Sequence, residues 1–344
     1  MKAMLLKAAN TPLVLETVPD PVPGPGEAVA RVLACGAGLT IHHVRAGRIP
    51  VTYPRILGHE ITGEIVALGA GVDEVALGDP VTAYFYLTCG RCYWCRINRE
   101  TLCENFGGYV GRETDGGYAE YIKLPARSFM KLPSGLDWRK HPAEVGVICD
   151  AIATPVKVIR RARVTPNDTV AVFGAGGGLG VHMLMLARWT RARKVIAVDI
   201  RGSKFETCLK AGADATVDAA DGKVTEQLLE LTGGKGIDVA IDFVCTKETL
   251  EAAFGALGKG GRLVTLAGHG MPFTARPNAM LRNELEIMGS RYATRQEVLD
   301  SLDLVARGEV WPLVTEKVAL AQAENIHQRL DQGLITGRAA LVMG

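Results

Sequence analysis

The chain has 344 residues, 48% of them apolar and 22% charged. That is enough to bury a large core and, beyond the ~250–300 residues at which single cores stop growing, to divide into two domains. A disordered or fibrous protein is excluded, and 39 Lys and Arg against 37 Asp and Glu leave a net charge of only +2, so no overall field draws the chain to nucleic acid or an anionic membrane.

Residues 1–7 lack the ~7–15-residue apolar stretch of a secretory signal, and the expected location is cytoplasmic. Up to about residue 150, short β-like runs at 13–18, 28–34, 61–68, 80–86 and 119–124 are punctuated by Gly and Pro, the pattern of an irregular, largely antiparallel β domain. From Asp168 the rhythm changes. Strands at 169–173, 194–199, 215–217, 239–243 and 262–267 alternate with helices at 181–189, 204–211, 224–231 and 250–256, which means βαβ units and a parallel sheet. A strand at 287–289, an amphipathic helix at 296–306 and a strand at 339–343 follow, the last closing back onto the first domain. The expected division is 1–150, 151–286 and a return segment 287–344. The longest charge-free stretch, 169–187, approaches the length of a membrane span, but its glycines and His182 fit a strand, loop and helix better. No membrane partner is expected.

Between the strand ending at Phe173 and the helix from Val181 lies Gly174-Ala175-Gly176-Gly177-Gly178-Leu179-Gly180. Glycines at 174, 177 and 180 permit a tight turn, close approach of backbone to a pyrophosphate, and close helix packing, with the phosphates at the helix N-terminus. The next strand ends at Asp199, near the ~20-residue offset expected of the acid that binds a ribose 2′-hydroxyl. Dinucleotide binding follows, and Asp199 favours NAD(H) because a carboxylate repels a 2′-phosphate; Arg201 keeps NADP(H) open. The expected cofactor residues are Gly174, Gly176, Gly177, Gly178, Leu179, Gly180, Asp199, Ile200, Arg201 and Arg338.

Of eight cysteines, Cys89, Cys92, Cys95 and Cys103 form a C-x2-C-x2-C-x7-C run. Four thiolates on short loops suit a closed tetrahedral zinc, structural because no coordination position is left open. An iron–sulfur cluster uses a similar run, but nothing else in the sequence suggests electron transfer.

Gly58-His59-Glu60-Ile61-Thr62-Gly63, continuing to Gly69 and Val72, precedes the cysteine run, and the dinucleotide fold follows it. Over essentially the full chain these motifs resemble the zinc-containing alcohol dehydrogenases of the medium-chain dehydrogenase/reductase superfamily. The resemblance implies an α/β protein in which a GroES-like β-rich catalytic domain is made from both ends of the chain. It also implies a central Rossmann domain with a doubly wound parallel sheet, a cleft between the two, and hydride transfer there between nicotinamide and an alcohol or carbonyl carbon. A homodimer or homotetramer is implied as well. The family's second, catalytic zinc is held by a cysteine in a C-x-T/S segment, the histidine of GHE, and a cysteine or aspartate just before the Rossmann domain. His59 and Asp150 match the last two ligands, and Thr40 and His43 match the family's hydroxyl and relay histidine. The position of the ligand cysteine is Gly38.

Glycine offers no ligand, and two protein ligands remain where a catalytic zinc usually has three. The expectation is an impaired catalytic metal site. Completion by Cys35 or His42 stays open, as does ligation by Cys149, for which a buried core thiol is the plainer reading. Without zinc, the charge developing on oxygen falls to hydrogen-bond donors, Thr40 foremost with His43 behind it as relay; His42 is either a further donor or a surface residue. The expected activity is an NAD(H)-dependent alcohol dehydrogenase or ketone reductase acting on a medium-sized hydrophobic or aromatic alcohol or carbonyl. The alternatives are a zinc-independent conjugate C=C reductase and a cofactor-binding regulatory protein without catalysis; Thr40, His43 and His59 together argue against the latter. Ile41, Tyr53, Tyr84, Trp94 and Tyr109 are candidates either for a substrate pocket or for ordinary packing.

Overall fold

Short apolar runs broken by Gly and Pro build the first part of the chain. In order come β1 (Lys2–Leu6), β2 (Val14–Thr17), β3 (Glu27–Ala37), helix α1 (Leu39–Arg45), β4 (Arg55–Ile56), β5 (Ile61–Leu68), β6 (Pro80–Ala83), the one-turn α2 (Tyr93–Arg96), β7 (Tyr121–Pro125), β8 (Phe129–Lys131) and α3 (Pro142–Val147). The middle carries α4 (Ala153–Ala162), β9 (Thr169–Phe173), α5 (Gly180–Trp189), β10 (Lys194–Asp199), α6 (Phe205–Lys210), β11 (Ala215–Asp218), α7 (Val224–Leu231), β12 (Ile237–Asp242), α8 (Lys247–Gly255), β13 (Leu257–Thr265), α9 (Pro277–Asn283) and β14 (Glu286–Gly289). The chain ends with α10 (Arg295–Ala306), β15 (Val314–Ala319), α11 (Ala323–Asp331) and β16 (Arg338–Val342). The computed structural model describes residues 1–267 and 272–344, which divide into two units, Met1–Ala153 with Ala293–Gly344, and Thr154–Tyr292.

In the first unit, β2-β1-β4 form a small antiparallel sheet and β15-β16-β3-β5-β6-β8 a larger one, with β7 also on β3. One edge of the long β3 is shared: β7 pairs with its start and β16 with its end, Ala339 opposite Ala37 and Leu341 opposite Cys35. One step further along this antiparallel register, Arg338 comes opposite Gly38. Two threonines cap helices as the chain re-enters regular structure, Thr294 starting α10 and, in the second unit, Thr246 starting α8, each with a reciprocal side-chain bond from the third helical residue.

The second unit is one parallel sheet in the order β11-β10-β9-β12-β13-β14. Val170, Ala171 and Val172 are all buried, because strands covered on both faces have no polar side to alternate with. Phe173, Ile196, Val198, Val217, Leu228 and Leu263 lie together in this core. Strand order reverses between β9 and β12, the position at which ligands bind outside the carboxyl ends of the strands in such sheets.

The sheet corrects one boundary. A return segment starting at residue 287 is too early, since β14 adds to β13 in parallel, Leu263 opposite Ile287, and the chain rejoins the first unit at Ala293. Among the described residues, no helix is long and apolar enough to cross a membrane.

Candidate active site

β9 ends at Phe173, and Gly174 turns the chain at φ +71°, a region that side chains disfavour. Its N–H donates to the Val198 carbonyl (2.9 Å). Gly180 opens α5, and a Cβ there would overlap the Gly174 carbonyl oxygen; only glycine permits this close approach. The loop closes on Asp199 at the end of β10, whose Oδ2 accepts from the Gly176 N–H (2.8 Å) and Oδ1 from the Arg201 N–H (3.0 Å). Gly177 donates to Gly174 (3.0 Å), and the Gly178 carbonyl lies 2.6 Å from His182 Nδ1. Ile200 beside the acid is exposed. Bare backbone at a helix N-terminus beside a carboxylate is the chemistry a dinucleotide requires.

Lys204 belongs to the same cluster and was not anticipated. Its chain packs over Gly176, whose Cβ would stand 2.5 Å from Lys204 Cδ. Burial holds its ammonium below the usual lysine range, with Asp199 opposing. The available signal was its position five residues after Asp199, at the start of the following helix.

In the first unit Gly38 precedes α1 as its extended N-cap residue, and Thr40 and His43, three apart, share one helix face. Thr40 is exposed, and His43 Nδ1 lies 3.0 Å from Arg48 Nη1. His42 is turned away, since adjacent helical residues point about 100° apart. It is buried, with Nε2 2.8 Å from Asp331 Oδ1 and its ring stacked on His327. Burial keeps its pKa below the usual histidine value. His42 is thus neither the additional donor nor the surface residue expected.

His59 packs on the Phe85 ring at 4.1 Å, and its Nε2 lies 3.9 Å from Asp150 Oδ2. Asp150 sits in a single π-helical turn, Ile148–Ile152, between α3 and α4, an irregularity frequent at functional sites. Arg338 occupies the space beside both acids. Its Nε and Nη2 donate to Glu60 Oε1 (3.2 and 2.7 Å), and Nη2 also donates to Asp150 Oδ2 (2.7 Å). Glu60 is fully buried with Oε2 lacking a partner among the described residues; burial, opposed by Arg338, pushes its carboxyl up to about 7. Arg338, expected among the cofactor residues, is 6% exposed and bonds to both of these carboxylates.

Cys35 and Cys149 are fully buried. The Cys35 thiol bonds to the Gly36 carbonyl and packs under Gly58 and Gly117, and the Cys149 thiol bonds to the Gly146 carbonyl at 3.3 Å. Burial raises both thiols well above their ordinary range, so neither is prepared as a thiolate ligand. Among the candidate pocket residues, Tyr84 is buried with its hydroxyl donating to the Ala293 carbonyl (3.0 Å), and Trp94 lies in the cysteine lobe against Arg99.

Among the described residues, Cys89, Cys92, Cys95 and Cys103 are the group of three or more His, Cys, Asp or Glu side chains whose ligand atoms converge, all within 4.8 Å. Sulfur separations are 3.5 Å for Cys92 to Cys95 and 3.9 Å for Cys89 to Cys95 and Cys92 to Cys103. A tetrahedral zinc with ~2.3 Å bonds places its sulfurs ~3.8 Å apart, so the four residues fit the metal. Backbone N–H groups of Arg91 and Cys92 pull the Cys89 thiol down to about 6.

Residues 24–134 match the alcohol dehydrogenase GroES-like domain family and residues 178–307 the zinc-binding dehydrogenase family. An NAD-dependent alcohol dehydrogenase of Sulfurisphaera tokodaii is 31% identical over 352 residues, covering 99% of this chain and 100% of that protein. An alcohol dehydrogenase of Geobacillus stearothermophilus is 33% identical over 349 residues, covering 99% and 98%. The crystal structure of the alcohol dehydrogenase from the hyperthermophilic archaeon Aeropyrum pernix is similar at a TM-score of 0.90 and 32% identity, covering 99% of this chain and 100% of that one. The chain therefore belongs to the zinc-type alcohol dehydrogenases of the medium-chain dehydrogenase/reductase superfamily, a family of oxidoreductases.

Proposed function

We propose that this protein is an NAD(H)-dependent dehydrogenase that interconverts a medium-sized hydrophobic or aromatic alcohol and its carbonyl compound, with a structural zinc on Cys89, Cys92, Cys95 and Cys103. The observation that carries the reading is the glycine loop closed onto Asp199, with Gly176 and Arg201 both donating to that carboxylate. A nicotinamide cofactor bound on this loop supplies or accepts the hydride. The chain's own residues handle the proton: in carbonyl reduction the Thr40 hydroxyl donates to the substrate oxygen as charge develops on it, and His43, one helical turn behind on the same face, relays a replacement proton from solvent; in alcohol oxidation the same relay runs outward. His59 and Asp150 do not make up the three protein ligands of a catalytic zinc, so the charge on oxygen falls to hydrogen-bond donors.

The family relationship and the named relatives support alcohol oxidation and carbonyl reduction. Conjugate C=C reduction is the second reading, favoured by Gly38, because hydride addition to the β-carbon of an enone requires only a donor to the carbonyl oxygen. The purified protein is offered NADH with a ketone and with an enone, and the products are identified by mass spectrometry and NMR. Alcohol formed from the ketone is expected. A saturated ketone formed from the enone supports the second reading, and tight NADH binding without either product refutes both.

A further inference from the structure

The ligand missing at position 38 is matched by a cation from position 338. A Cβ built on Gly38 would stand 2.5 Å from Arg338 Nη1, 3.0 Å from Cζ and 3.3 Å from Nη2. A side chain at residue 38 and this guanidinium cannot occupy their places together. Nor is the guanidinium free to withdraw. It is nearly buried, held by Glu60 and Asp150 through Nε and Nη2, and the strand register of β16 on β3 directs residue 338 to residue 38.

The oxygen it holds is also the decisive one. Asp150 Oδ2 is the atom that faces His59 Nε2, and it already accepts from Arg338. A divalent ion between His59 and Asp150 would compete for that oxygen. It would also add two positive charges beside a guanidinium that cannot deprotonate, against two carboxylates in a buried space where uncompensated charge is costly.

We propose that the Arg338 guanidinium is the resident cation of this site, standing in for a catalytic metal, and that it acts as a positioning residue that holds Asp150 and Glu60 in place. The protein then carries one zinc per subunit, in the cysteine lobe. The inference deepens the proposed function and rests on it for the reaction, but the metal count stands independently.

The test is metal stoichiometry by inductively coupled plasma mass spectrometry after loading with zinc and dialysis, with cobalt substitution to identify the ligands by absorption. About one zinc per subunit is expected in the wild type, with a tetrathiolate cobalt spectrum. Gly38→Cys alone should remain at one, because the thiol meets the guanidinium. Gly38→Cys with Arg338→Ser should rise twofold, to about two. Two firmly bound zincs in the wild type, or a cobalt spectrum with nitrogen and oxygen ligands, would overturn the proposal, as would a folded double variant that stays at one. Should the double variant not fold, the wild-type count and spectrum decide alone. Loss of NADH binding or turnover with a count of one would count against the hydride-transfer reading and leave the metal inference intact.

Discussion

Replacing Asp199 by alanine isolates the group on which cofactor choice depends. In the wild type its carboxylate accepts from the Gly176 and Arg201 N–H groups at 2.8 and 3.0 Å and is 7% exposed; under the proposed function its remaining acceptor capacity goes to a ribose. Hydrogen bonds from the ribose to a charged acceptor contribute about 2–3 kcal/mol together. Their loss weakens NADH binding about 30- to 100-fold. A 2′-phosphate meets the opposite effect: one unit of like charge ~5 Å away at an effective dielectric of ~20 is repelled by about 3 kcal/mol. Asp199→Ala removes both, and the preference for NADH over NADPH should fall by about 10⁴-fold. Asp199→Asn, which keeps an acceptor for the loop, separates loss of charge from loss of loop geometry. The assay is fluorescence titration of each variant with both cofactors at fixed ionic strength. Equal wild-type affinity for the two, or a ratio in Asp199→Ala within threefold of the wild type, would refute the reasoning.

Cys92→Ser should abolish the bound zinc and lower thermal stability, since a closed four-thiolate site contributes its binding energy to folding; calorimetry beside metal analysis checks it, and an unchanged melting temperature would count against a structural metal. Thr40→Ala should reduce kcat by about 10²-fold or more with little change in KM, as expected for a donor acting on developing charge, whereas unchanged steady-state kinetics would remove Thr40 from the reaction. His327, buried with Nε2 3.0 Å from the Tyr118 hydroxyl, is held down to about 3 by burial, with His42 and Arg45 adding to the effect and Glu324 opposing it. Its folded pKa lies below the unfolded value near 6.5, so the contribution is intact above pH 6.5 and is lost as pH falls towards 3. Between pH 6.5 and 5 the loss is about 2 kcal/mol. His327→Gln should flatten that part of the denaturant-derived stability profile, and a parallel profile would exclude His327 as the source.

The parallel sheet was legible because its determinants are local. Apolar runs at 169–173 and 194–199, the glycines between them and the acid at 199 all lie within about thirty residues, and each constrains the same turn. Helix α1 was not legible: Thr40 and His43 are paired in the sequence by the family resemblance alone, and the helix at Leu39–Arg45 is what puts them on one face and His42 on another. What the sequence conceals is the placement of Arg338 beside Glu60 and Asp150. Arg338 bonds to residues 278 and 188 positions away in the chain, and no periodicity connects them; only the register of β16 on β3 makes them neighbours. β15 and α11 were missed for a related reason. Their alternation and charge are those of surface elements, and they are defined by the strand and helix they pack on.

The first unit takes its strands from both ends of the chain, with β16 laid along the end of β3, and this gives the protein an order of assembly on the ribosome. The second unit is continuous and has all its strands once residue 292 has emerged. β3 is made early, but half of one of its edges stays without a partner until residue 342 is synthesised, roughly 10–40 s after residue 153 at ~5–20 residues per second. For that interval the nascent chain exposes a sheet edge open to pairing with other strands, and Glu60 and Asp150 await their cation. Closure of the edge and neutralisation of the buried carboxylates are then a single event, because the strand that completes the sheet begins with Arg338.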